Sequence, residues 1–229
     1  MTVHPDLTAE QAYIDRAYEC LEDARTTASR LKGMVEVGVG GTEQARFERE
    51  VIFDTVAHRL TQLHLGDAAL CFGRIDRDPD EGGETFYIGR LAVSDDQQEP
   101  LVIDWRAPVA EPFYRATGRQ AMGLARRRHF ATRGRQVLGI EDELFGEHAL
   151  DLGEGAGLQG HGALIAALET ARSGRLGDIV ATIQGEQDEI IRAPLPGVLV
   201  VQGGPGTGKT VVAVHRAAYL LYTHRFPLE

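Results

Sequence analysis

The chain has 229 residues, 43% of them apolar, and a formal net charge of −10. That size suits one or two domains with a real core, and the composition excludes a disordered or collagen-like chain. No run of about 18 apolar residues is present to span a membrane. The N-terminus Met1-Thr-Val-His-Pro-Asp6 lacks the basic and apolar regions of a signal peptide, so a cytoplasmic protein is expected.

The charge is uneven. Residues 1–100 carry 20 acids against 10 bases, while residues 101–229 carry 14 of each. An acidic arm of this kind favours a basic protein surface or a metal-rich site over nucleic acid. Cys20 and Cys71 are too few for a disulfide framework and read as buried free thiols.

Thr8 with Gln11 three residues on is a helix-start signature. From there Ile14, Ala17, Leu21, Ala24, Ala28, Leu31 and Val35 recur at spacings of three and four, the pattern of a thin coiled-coil seam. Gly38-Val-Gly-Gly-Thr42 breaks it, and Thr42 can cap a second helix with the stripe Phe47, Val51, Ile52, Val56, Leu60 and Leu63. Two such helices make an antiparallel hairpin roughly 35–40 Å long. It is either part of an ordinary bundle or a projecting finger with its tip near Glu36 and Glu43.

From Ala68 the pattern changes to strands. Ala69–Ile75, Glu84–Val93 and Pro100–Trp105 are strand-like, separated by acidic, glycine-bearing turns. Asp76, Asp78 and Asp80 resemble a Ca2+ loop only briefly, since Glu81 stands where the glycine is needed, and they read as a solvated turn. Pro108 and Pro112 make the next stretch an extended edge or a turn. Asp104 and Arg106 flank Trp105 as an ion pair, structural or functional.

Residues 112–140 then carry Arg115, Arg119, Arg126, Arg127, Arg128, Arg133 and Arg135 without an acid. This stripe fits a nucleic-acid backbone or an acidic protein surface; equally, it fits a solvated hairpin face or a counterpart to the chain's own acidic arm. Residues 141–178 read as helical, with Ile140-Glu-Asp-Glu-Leu-Phe145 at their start, a glycine-rich break at 153–162 and Ala163–Leu176 beyond it. A further turn and helix follow over Ile179–Arg192. No zinc-like Cys/His spacing and no nucleophile elbow are present.

The sharpest signal comes last. Gly203-Gly-Pro-Gly-Thr-Gly-Lys-Thr210 fits G-x-x-x-x-G-K-S/T, the phosphate-cradling P-loop. The apolar run Val198–Val201 before it reads as a buried parallel strand. Val211, Val214, Ala218 and Leu221 after it recur at helical spacing. The expected nucleotide-binding set is Gly203, Gly204, Pro205, Gly206, Thr207, Gly208, Lys209, Thr210 and Val211, with ATP and Mg2+ as cofactors. Lys209 suits the β/γ-phosphates and Thr210 is the Mg2+ ligand; the two are the candidate catalytic residues. The chain holds only one other lysine, Lys32.

Gln187 lies 22 positions before Lys209 with the apolar run and the loop between them. That arrangement resembles superfamily 1 helicases of the UvrD/Rep type, and the resemblance implies that Gln187 reads the adenine edge, with Gln184 as its competitor. The upstream segments Phe86-Tyr-Ile-Gly-Arg90, Leu101-Val-Ile-Asp-Trp-Arg-Ala-Pro108 and Pro112-Phe-Tyr114, together with the hairpin, are similar to the HelD/HelR family of RNA polymerase-recycling ATPases. The resemblance implies that residues 8–65 are a finger for the secondary channel of RNA polymerase. A conventional UvrD-like DNA helicase, or a non-enzymatic polymerase-binding protein with a vestigial loop, are the rival functions.

Two departures stand out. Val211 replaces the arginine that in UvrD-type relatives follows the loop threonine and stacks on adenine. Only 19 residues follow Thr210, so no Walker B pair or arginine finger fits, and the chain is expected to be the N-terminal piece of a longer motor. The fold expected is α+β: a coiled-coil hairpin (1–66), a β-rich subdomain (67–140), a helical connector (141–178) and the start of a RecA-like P-loop domain (179–229).

Overall fold

The computed structural model describes residues 4–37, 43–66, 68–146 and 179–224. The turn Gly38–Thr42, the side chains of Glu36 and Glu43, and the helical reading of 147–178 lie outside that description. The architecture is α+β, with helices on both sides of a mixed six-stranded sheet. Among the described residues no helix is long and apolar enough to cross a membrane.

Helix α1 (Leu7–Val37) is followed by α2 (Glu43–Gln62). Strands β1 (Cys71–Arg77), β2 (Thr85–Gly89), β3 (Val93–Ser94) and β4 (Pro100–Asp104) come next, then the short helix α3 (Glu111–Arg115). Strands β5 (Leu124–Arg133) and β6 (Gln136–Leu144) complete the sheet, in the order β3-β4-β2-β1-β5-β6. Only β2 and β4 pair in parallel; every other neighbouring pair is antiparallel.

Side chains alternate across the sheet, so the neighbours Tyr87 and Ile88 belong to different cores. One face carries Tyr87, Val102, Phe130 and Val137 and is covered by Ile14, Ala17, Tyr18 and Leu21 of α1. The other carries Phe72, Ile75, Ile88 and Leu124 and is covered by Phe113, Tyr114, Ile183, Ile191 and Val212. Gly73 makes the second face possible: a Cβ there would lie 2.1 Å from Phe113 Cε2.

Four expectations need correction. The hairpin seam is split in function, because α1 is about 46 Å long and α2 about 30 Å. The first half of α1 therefore needs another partner, and Ile14, Ala17 and Leu21 face the sheet rather than the second helix. The distal half runs antiparallel to α2, with Arg25 donating to Leu63 O and the Lys32 ammonium over the Phe53 ring. Glu84–Val93 is two strands broken at 90–92. Pro108 and Pro112 do not make an edge: each sits in the first turn of a short helix, where its missing N–H costs nothing.

The fourth correction is Ile140–Leu144, which belongs to strand β6 and not to a helix. Its acids face arginines across the ladder, Asp142 opposite Arg128 and Glu143 opposite Arg127. Cross-strand opposite-charge pairing overrides the modest helical preference of the run. Arg128 is the centre of this region and is fully buried. It donates to Asp142 at 2.6 Å, to Asp6 at 2.7 Å and to Glu10, which also accepts from Arg74 at 2.6 Å.

Cys71 is buried and its thiol is pushed up to about 12, so it stays protonated; both cysteines are free thiols. On β5, His129 packs on Phe113, and burial together with the neighbouring Arg127 charge lowers its pKa to about 4. The unfolded chain takes up that proton near pH 6.5, so this residue's contribution is complete above 6.5 and is lost as pH falls toward 4. Between pH 7.5 and 5 the loss amounts to about 2 kcal/mol. In thermal melts over that range, His129→Leu is expected to be less acid-sensitive than the parent. Parallel curves for the two proteins would contradict the assignment.

Candidate nucleotide-binding site

The loop Gly203–Gly208 leads into helix α5 (Lys209–Thr223), whose first intrahelical bond runs from Val212 N–H to Gly208 O. Gly206 (φ 79°) and Gly208 (φ 81°) are left-handed, a conformation that a Cβ disfavours. Thr207 Oγ donates to Gly204 O at 2.9 Å and closes the loop from within. Lys209 folds back over the same loop, its ammonium donating to Gly203 O (2.9 Å) and Gly204 O (2.6 Å). Thr210 is exposed in the first turn, Val211 is half-buried, and Pro205 sits at the exposed tip.

The first-turn N–H groups of α5 have no intrahelical acceptor, and the helix dipole adds positive potential at the same end. One ammonium, one hydroxyl and these amides on an exposed glycine loop are a donor set suited to a polyphosphate and a hard cation. Val198–Val201 departs from expectation. It forms no strand, and Val198 is 93% and Val200 81% exposed. An extended run becomes a strand only when another strand takes up its backbone hydrogen bonds, and none among the described residues does so.

Gln187 lies beside the loop. It belongs to helix α4 (Gly185–Arg192), where Gln184 is the N-cap and Gln187 the third residue of a reciprocal capping box. Its Oε1 accepts from Gln184 N–H at 3.2 Å, and its Nε2 donates to Thr207 O at 3.5 Å. Gln184 donates its own Nε2 to Thr182 O at 3.1 Å.

Several side chains that the sequence reading passed over hold these pieces together. Arg192 pairs with the fully buried Asp188, and donates to the carbonyls of Trp105 (2.7 Å), Arg106 (3.2 Å) and Ala107 (3.3 Å). Burial raises the Asp188 pKa, against the pull of Arg192. Arg216 of α5 donates to four carbonyls at the end of α4: Ile190, Ile191, Ala193 and Pro194. One face of α5 also meets the turn after β4 and helix α4, with His215 edge-on to Trp105, Tyr219 under Arg192 and Tyr222 under Arg106. The spacing of His215, Tyr219 and Tyr222 along one helix face was the signal available for this docking surface.

Asp104 and Arg106 form a bidentate ion pair with Asp104 buried, so the pair shapes the turn that receives α4 and α5. The arginine stripe is mostly spent inside the chain. Arg126 binds Asp76 and Asp142, Arg127 binds Glu143, Arg115 binds Glu111 and Arg135 binds Glu22; Arg119, Arg133 and Arg135 are exposed. His4, Asp6 and Asp142 bring ligand atoms within 4.8 Å of one another, but Arg128 already binds both carboxylates.

Residues 7–157 match the family described as DNA helicase IV HelD, N-terminal domain. That span takes in α1, α2 and all six strands, and it stops short of the glycine loop. The chain belongs to this family. Among curated proteins none matches it.

Proposed function

We propose that this member of the HelD family is the polymerase-directed arm and first nucleotide-binding unit of a helicase-like ATPase that recycles RNA polymerase. The observation that carries the nucleotide half is the loop itself. Two left-handed glycines, a lysine folded over the loop mouth and an exposed threonine stand at a helix start. Bound ATP·Mg2+ would supply a phosphoanhydride whose hydrolysis releases free energy for conformational work.

The residues have separable tasks. Lys209 would exchange its two carbonyl partners for β/γ-phosphate oxygens, and Thr210 would present its hydroxyl to Mg2+. The amides of Gly206–Thr210 would cradle the phosphates. Gln187 keeps a spare N–H and a spare lone pair for the adenine edge. Val211 offers no planar cation to stack on the base. Residues 179–229 are in this reading the opening of a RecA-like domain mounted on the family's N-terminal body.

The partner half is supported by the family, by the acidic excess of residues 1–100 and by the hairpin. Leu31, Met34, Phe47, Val51 and Ile52 are exposed on its distal part. Capture of double-stranded DNA by the arginine stripe is disfavoured, because Arg126, Arg127 and Arg128 already bind carboxylates.

ATP with Mg2+ at about a hundredfold excess over Kd is expected to stabilise the protein by about 2.7 kcal/mol, read as a rise in Tm. Lys209→Ala should abolish the rise without changing the unliganded Tm; an equal rise in the variant would overturn the nucleotide half. For the partner half, the immobilised chain is expected to capture purified RNA polymerase without nucleotide. Phe47→Asp combined with Ile52→Asp should lose that capture, and undiminished capture would overturn it.

A further inference from the structure

Gln187 reaches the loop through a weak contact. Its Nε2 stands 3.5 Å from Thr207 O, at the limit of a hydrogen bond, and rests against Gly208, where a Cβ would come within 3.1 Å. Such a contact does not fix the glutamine by itself. Its position is set by the helix that carries it, and α4 is held at its far end. There Arg216 donates to Ile190 O (3.0 Å), Ile191 O (3.2 Å), Ala193 O (2.6 Å) and Pro194 O (3.0 Å). These carbonyls lie at the end of a helix, where Ile190 O receives only the long bond from Ala193 N–H (3.4 Å), and a guanidinium meets both their remaining hydrogen-bond demand and the negative dipole end. Arg192 ties the same turn of α4 to Trp105–Ala107.

We propose that Arg216 is a positioning residue for base recognition: from the phosphate-binding helix it fixes the tilt of α4 and so places Gln187 beside the loop. This inference rests on the nucleotide-binding reading above. Leverage supplies the reason. Gln187 lies five residues, about 7.5 Å, from the braced end of α4 at Arg192, so a tilt of about 10° there moves it by roughly 1.3 Å. That displacement is enough to break a hydrogen bond to a base edge while leaving the phosphate cradle, built from residues 203–210, in place. A lysine at 216 would reach one or two of the four carbonyls, because it lacks the planar fork.

The test compares two probes by calorimetry on the full chain: ATP·Mg2+, which carries a base, and inorganic tripolyphosphate·Mg2+, which does not. Arg216→Met, Arg216→Lys and Gln187→Ala are each expected to weaken ATP about tenfold, the scale of one good hydrogen bond, and to leave tripolyphosphate within about twofold. Combining Arg216→Lys with Gln187→Ala should cost no more than either alone, since both act on the same contact. Equal weakening of the two probes by Arg216→Lys, or full additivity in the double variant, would overturn the inference. If Arg216→Met fails to fold, Arg216→Lys and Gln187→Ala carry the comparison. Lys209→Ala separates the failures. Tripolyphosphate binding that ignores Lys209 would sink the nucleotide reading and this inference with it. Lys209-dependent binding with an unchanged ATP-to-tripolyphosphate ratio would sink this inference alone.

Discussion

Arg128 is the interaction on which the rest of the structure depends. Its guanidinium is buried within the fold and shared among Asp142 on the next strand and Asp6 and Glu10 at the start of α1. An unpaired charge there would cost several kcal/mol, so the strand, the helix and the segment leading into it must come together at once. This tie lays the first half of α1 on the sheet and leaves the second half for α2. It also joins the acidic N-terminal arm to the arginine stripe: Asp6, Glu10, Glu22 and Asp76 bind Arg128, Arg135 and Arg126.

The opposite face of the sheet does comparable work for the glycine loop. The turn Asp104–Ala107 is shaped by its own ion pair and offers three carbonyls to Arg192, while Trp105 and Arg106 meet rings of α5. The loop helix therefore sits on the same sheet as the hairpin, one on each face.

Much of this was legible in the sequence, for identifiable reasons. The glycine loop followed by Lys209 and Thr210 is a chemical motif, and the first strands are strand-like runs bounded by acidic, glycine-bearing turns. Helical spacing located α1 and α2. What escaped were features decided by partners distant in sequence. Ile140–Leu144 became a strand because Arg127 and Arg128 face its acids. Ile14, Ala17 and Leu21 turned to the sheet because α1 outruns α2. Val198–Val201 has strand composition, but no neighbour among the described residues completes it. Arg192 and Arg216 gave no sequence signal, since an arginine that binds backbone carbonyls looks like any surface arginine.

Hydrogen exchange with and without ATP·Mg2+ tests the central claim most directly, that residues 203–210 form a nucleotide cradle braced against α4. The account predicts slower exchange at the amides of 206–212 and through Gly185–Arg192 when nucleotide is added, with β5 and β6 unchanged. Exchange that is the same in both conditions over the loop and α4 would contradict it.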